Sequence, residues 1–170
     1  LNSDANALYV KQEEATRDQY VFIDIFDSNA RVLCNGGAGS GKTFLALETA
    51  IRASIRGERV LLVCRNPALA SFLHGKVEDS SARVAPIDQL SESETYDLLI
   101  VDEGQDLMTM SYLDLLDGCL NGGLERGHWA IFYDQHNQSG IYNTFDPDSL
   151  LYLESFCQAR VPLTRNLRNT

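Results

Sequence analysis

Short runs of consecutive apolar residues alternate along this chain with longer stretches whose apolar positions recur at helical spacing. Arg31-Val32-Leu33-Cys34 reads as a first strand. From Phe44 through Arg56, the positions Phe44, Leu45, Leu47, Ile51 and Ile55 predict a helix, with Gly57 as its C-cap. Arg59-Val60-Leu61-Leu62-Val63-Cys64 is the continuous run of a strand buried on both faces; Asn66-Pro67 ends it, and a helix is expected from Ala68 to about Lys76. Val84 to Leu90 suggests a short strand and turn, and Leu98-Leu99-Ile100-Val101 a further buried strand. Ser111 to Leu120 is an amphipathic helix closed by Asn121-Gly122-Gly123, and Trp129 to Tyr133 is another strand, with Trp129 assigned to the core. Asp146-Pro147 opens a helix with an aspartate N-cap and proline at the first position, and Val161 to Thr164 reads as a last strand. Upstream, residues 1–18 form a polar extension, and Gln19 to Phe26 is helical before the turn Asp27-Ser28-Asn29. Buried strands alternating with helices predict an α/β fold, a parallel sheet with helices on both faces, in one domain over 19–170. Ligands of such sheets bind at the carboxyl ends of the strands.

Composition narrows the picture. A chain of 170 residues with 44% apolar content can bury one full core. Its net charge of −10 argues against a broad basic surface that grips nucleic acid by phosphate neutralisation alone, though it is compatible with a local basic track. No apolar run approaches a membrane span and no signal peptide opens the chain, so a cytoplasmic protein is expected. Cys34, Cys64, Cys119 and Cys157 lack C-x-x-C spacing and lie in apolar segments, as reduced core thiols would. His74, His128 and His136 are scattered, without metal-ligand spacing. A start at Leu1 and an end just after Arg168 read as a fragment of a longer protein.

The chemistry sits at the strand ends. Gly36-Gly37-Ala38-Gly39-Ser40-Gly41-Lys42-Thr43 fits G-x-x-x-x-G-K-[ST] between a strand and a helix, the setting in which backbone N–H groups cradle phosphates. Lys42 would reach the β- and γ-phosphates of a nucleoside triphosphate, and the Thr43 hydroxyl would sit on Mg²⁺. The strand Leu98–Val101 delivers Asp102-Glu103, with Asp102 suited to hold Mg²⁺ through water and Glu103 to orient or deprotonate an attacking water. After the next strand, Asp134-Gln135-His136-Asn137-Gln138 offers an amide that could bond the γ-phosphate, Gln138 being favoured over Gln135. Arg168 is a candidate for stabilising charge on that phosphate.

Together these pieces resemble superfamily 1 helicases. Gly36 to Thr43 looks like motif I, and Asp102-Glu103-Gly104-Gln105-Asp106 matches D-E-x-Q-D, the most specific piece. Leu62 to Pro67 resembles motif Ia, Asp134 to Gln138 with Ile141-Tyr142 resembles motif III, and Leu163 to Thr170 resembles motif IV. The nearest flavour is the UvrD/Rep-like group, especially variants behind nuclease-related (NERD) domains. The resemblance covers 19–170 and implies a RecA-like P-loop NTPase domain that uses ATP and Mg²⁺ and acts on single-stranded DNA. It also implies a second RecA-like domain C-terminal to this one and admits an upstream nuclease domain. It places an adenine-reading glutamine at Gln19, a coupling role at Gln138, a γ-phosphate contact at Arg168, and Asn66 and Pro67 on the DNA track. Tyr142 and Phe145 fall near the base-stacking aromatics of the family, with loop packing as the plainer alternative. The chain departs from the family between Phe72 and Tyr96, where a helical subdomain is usually inserted. Motor half of a DNA helicase or translocase is the reading that results. A nucleotide-gated regulatory module of a nuclease or defence protein is its rival, and a metabolic P-loop kinase is the least favoured.

Overall fold

The structure, a computed structural model, describes residues 17, 20–137, 142 and 144–163. Helix α1 (20–28) precedes β1 (Arg31–Gly36), α2 (Lys42–Ile55), β2 (Val60–Cys64) and α3 (Pro67–Lys76). There follow β3 (Arg83–Pro86), β4 (Leu98–Val101), α4 (Met110–Cys119), α5 (Gly123–Arg126), β5 (His128–Tyr133), α6 (Pro147–Glu154) and β6 (Ala159–Leu163). The strands form one sheet in the order β3-β2-β4-β5-β1-β6, every described pair parallel. All carboxyl ends therefore share one edge, and the motifs placed there by their sequence positions meet in space.

Alternation along the strands splits the core between the two faces. Val32, Cys34, Leu62, Ile100 and Phe132 pack under α1, α2 and α3, whereas Leu33, Val63, Val101, Ile131 and Trp129 pack under α4, α5 and α6. This is the doubly covered parallel sheet expected from the continuous apolar runs. Trp129 is fully buried and donates its indole N–H to the Leu124 carbonyl at 2.8 Å, so its one polar atom is satisfied by α5.

Local chemistry sets the boundaries. Gly57, at φ +89°, closes α2 in a Schellman motif: its N–H reaches the Ser54 carbonyl at 3.0 Å and the Glu58 N–H reaches that of Ala53 at 3.1 Å. Asp146 caps α6 by accepting from the Asp148 N–H at 3.1 Å, with Pro147 at the first position. Asn66 likewise caps α3, its Oδ1 accepting from the Ala68 N–H at 2.8 Å, so the helix opens at Pro67, one residue earlier than expected. Short elements without a periodic signature include α5 and the 3-10 turns Gly104–Leu107 and Gln135–Asn137. Strand β6 begins at Ala159, where backbone pairing with Val32 extends it beyond its apolar part. The outermost described strands each hold a proline, Pro86 in β3 and Pro162 in β6.

Cys34, Cys64 and Cys119 are buried as expected, and burial pushes the thiols of Cys34 and Cys64 up to about 12. Cys157 departs from the expectation: just past the end of α6 it is only partly buried. Among the described residues, no helix is long and apolar enough to cross a membrane.

Candidate nucleotide-binding site

Strand β1 ends at Gly36, and the chain turns through Gly37–Gly41 into α2. Gly39 and Gly41 have φ of +75° and +90°, conformations that glycine adopts without a Cβ penalty. The helix's first N–H groups have no intrahelical partner; the first carbonyl to receive one is that of Gly41, from the Leu45 N–H at 3.0 Å. Gly36 is required by close approach, since a Cβ there would lie 2.5 Å from the Ser40 Oγ and 2.9 Å from the Leu163 Cβ. Ser40 Oγ itself is buried and has no hydrogen-bond partner among the described residues. Lys42 is 7% exposed and folds back on the loop, its Nζ donating to the carbonyls of Gly36 and Gly37 at 2.5 and 2.9 Å.

Two strands away, β4 ends at Val101 and delivers Asp102. The Thr43 Oγ1 donates to Asp102 Oδ2 at 2.8 Å, which brings together the two residues expected to share a metal ion. Asp102 Oδ1 accepts from the Glu103 N–H at 3.0 Å. Asp102 is fully buried, and burial, partly offset by the Thr43 hydrogen bond, raises its carboxyl from 3.8 to about 6. Among the described residues no group of three or more His, Cys, Asp or Glu could hold a metal. An ion at Thr43 and Asp102 would therefore share its coordination with phosphate oxygens and water. The unsatisfied Ser40 hydroxyl, the free helix N–H groups, the loop lysine and the Thr43–Asp102 pair all fit a magnesium nucleoside triphosphate.

The raised carboxyl has a measurable consequence. Between pH 3.8 and about 6 the folded chain holds a proton on Asp102 that the unfolded chain releases, so the contribution of Asp102 to stability falls across that window as pH rises and is constant above it. Asp102→Asn is expected to stabilise the metal-free protein at pH 7.5 by about 1–3 kcal/mol. Below pH 4 the difference should vanish. Thermal melts in chelator at the two pH values test this, and a less stable variant at pH 7.5 would contradict it.

Glu103 is the one non-glycine residue at positive φ among those described, with φ 52° and ψ 48°. Its Oε2 accepts from the Gln105 amide, and Gln105 Oε1 accepts from the Asp134 N–H at 3.0 Å. Gln105, 2% exposed, thus links the carboxylate to the loop after β5. Gly104 lets the turn lie against β5: a Cβ there would meet Ile131 Cγ2 at 2.7 Å and the Phe132 carbonyl oxygen at 3.1 Å. Gly104→Ala should destabilise the fold by about 1–3 kcal/mol by forcing the turn off the sheet. A urea midpoint unchanged from the parent would show that the turn yields freely.

Because β5 lies between β1 and β4, its loop emerges between the P-loop and Asp102. Asn35 and Gln135 pair reciprocally there: Asn35 Nδ2 donates to Gln135 Oε1 and the Gln135 N–H donates to Asn35 Oδ1, both at 3.1 Å. Gln135's amide oxygen is thereby engaged. Gln138, Gln19 and Arg168 lie outside the described residues. Tyr142 stacks under Arg65, whose guanidinium carbon is 4.0 Å from its ring centroid and 5.3 Å from that of Tyr112. Arg65 Nη1 also donates to Thr144 Oγ1 at 2.8 Å and to the Asp106 carbonyl at 3.4 Å. Phe145 packs against the core cluster beneath α4 and α6, which favours loop packing for that ring. Arg65 and Gln105 carried no assigned role in the sequence: both stood inside recognised motifs, and neither spacing nor residue type shows which partners they hold. A cavity of about 410 Å³, bounded by Ala38 to Phe44 and by Glu103, lies over the loop.

The fold and this loop define a RecA-like, helicase-type nucleotide-binding domain. Residues 29–141 match the profile of one family, and the chain belongs to it: Schlafen group 3, DNA/RNA helicase domain. Among solved structures, the crystal structure of Bacteroides Pif1 bound to ssDNA is similar with a TM-score of 0.50 at 18% identity. That likeness, one of fold, covers 91% of this chain and 43% of the Pif1 chain. No curated protein matches.

Proposed function

We propose that this chain is the ATP-binding and hydrolysing half of an ATP-dependent helicase or translocase acting on single-stranded DNA. The observation that carries this reading is the Thr43–Asp102 hydrogen bond at the mouth of a complete P-loop, beside Glu103. Lys42 would exchange the Gly36 and Gly37 carbonyls for the β- and γ-phosphates. Ser40 Oγ and the N–H groups at the start of α2 would hold phosphate oxygens. Thr43 and Asp102 would hold Mg²⁺, whose charge would offset that of the phosphates. Glu103 would take the proton of the attacking water, released from or turned by Gln105. Gln19 is proposed to read the adenine, Gln138 to couple the γ-phosphate to DNA, and Arg168 to face that phosphate.

Residues 19–170 then form the first of two RecA-like domains, after an extension at 1–18. The domain lacks the inserted helical subdomain between Phe72 and Tyr96. The D-E-x-Q-D sequence at Asp102–Asp106 supports kinship with UvrD/Rep-like enzymes and with the nuclease-linked variants, and a cytoplasmic location accords with the composition. Asn66, Pro67 and Tyr142 are proposed for the DNA track, with Arg65 on one face of the Tyr142 ring.

The test is ATP turnover by the parent protein with and without single-stranded DNA or RNA. Stimulation by DNA supports the motor. The acidic balance of −10 favours the rival, a nucleotide-gated regulatory module, if ATP binds and neither nucleic acid stimulates turnover. The chain alone should bind ATP weakly, hydrolyse it negligibly and unwind nothing, because a site shared with a second domain is half built here. Robust unwinding by residues 1–170 would contradict the half-motor reading.

A further inference from the structure

We propose that Phe44 is the stacking platform for the base of the bound nucleotide, an inference that rests on the nucleotide site proposed above. Helix α2 buries Leu45, Ala46, Ala50 and Ala53 against the sheet, and Phe44 lies off that face with half of its surface exposed. The ring instead bounds the cavity over the P-loop, where it is the one aromatic side chain among the described lining residues. The polar side chains around it, Ser40, Lys42, Thr43 and Glu103, are suited to phosphate, metal and water. What remains of a nucleoside triphosphate is its nucleoside, and the base presents a flat face for which a phenyl ring is the matching surface. The backbone that carries Phe44 is fixed: it stands in the first turn of α2, which closes on the loop through the Leu45 N–H bond to the Gly41 carbonyl at 3.0 Å. A ring on a rigid turn loses little freedom when a base settles on it. Stacking uses the face of the base and not its edge, so the grip is blind to base identity, and a triphosphate without a base gains nothing from it.

Calorimetric titration of this chain with ATP, GTP and inorganic tripolyphosphate, each with Mg²⁺, separates the contributions. Phe44→Ala should weaken ATP and GTP by the same factor, on the order of ten- to a hundred-fold, and leave tripolyphosphate unchanged. Phe44→Trp should retain ATP affinity, and its indole fluorescence should be quenched on ATP binding. The native Trp129 is the only other tryptophan and is fully buried, which keeps the two signals apart. Unchanged ATP affinity in Phe44→Ala overturns the proposal. So does a loss of tripolyphosphate binding equal to the loss for ATP, because Phe44 would then act by holding the loop. A wild-type chain that binds neither ATP nor tripolyphosphate overturns the nucleotide site itself, and this inference with it.

Discussion

Lys42→Ala is expected to weaken ATP–Mg²⁺ binding by a hundred-fold or more, on the order of 3 kcal/mol. The lysine is buried at the base of the cavity, and its Nζ already faces two backbone carbonyls that a polyanion would replace. Exchanging neutral acceptors for phosphate oxygens gains charge-assisted hydrogen bonds at a shielded position, where they are worth more than at the surface. Alanine forfeits all of that gain. The fold should survive, because Lys42 belongs to neither of the two apolar clusters that form the core. Calorimetry gives the affinity and circular dichroism checks the fold. Unchanged affinity in a folded variant would sink the site assignment.

Glu103→Gln should leave ATP affinity within a few-fold of the parent and slow turnover in the full-length protein by at least a hundred-fold, the scale typical of a removed general base. The substitution is nearly isosteric, and the new amide oxygen can still accept from Gln105, so the turn Gly104–Leu107 should keep its geometry. Only the capacity to accept a proton is lost. The left-handed backbone at Glu103 is unaltered as well, which keeps strain out of the comparison. Single-turnover hydrolysis and nucleotide titration together decide. A fall of less than about tenfold would mean that another group takes the proton.

Much of this architecture was legible in the residues because burial and chemistry agreed. The apolar runs at Val60–Cys64 and Leu98–Val101 are hydrophobic without alternation, and a strand covered on both faces demands that. Gly57, Asp146 and Pro147 carry backbone preferences strong enough to fix element ends by themselves. What stayed hidden depends on distant contact. Helix α5 is too short to show periodicity, and its place is fixed by the Trp129 indole bond and by Asp117 accepting from the Leu124 N–H. In the site, the D-E-x-Q-D string marked a family but did not show that Gln105 spans from Glu103 to the loop after β5. Likewise, Arg65 stood in a recognised stretch, and only the fold shows it between two tyrosines.

The two prolines on the outermost described strands, Pro86 and Pro162, bear on how the domain behaves in a crowded solution. A parallel sheet whose outer strands lie open offers a second copy a template on which to add its own strand, the first step toward insoluble aggregates. A proline has no N–H to offer and interrupts the regular ladder such an addition needs. Each flank is broken in this way within a strand of four or five residues, too short to leave a long uninterrupted run. With a charge of −10 adding mutual repulsion between copies, the prolines set these two described strands against edge-to-edge pairing with a second copy.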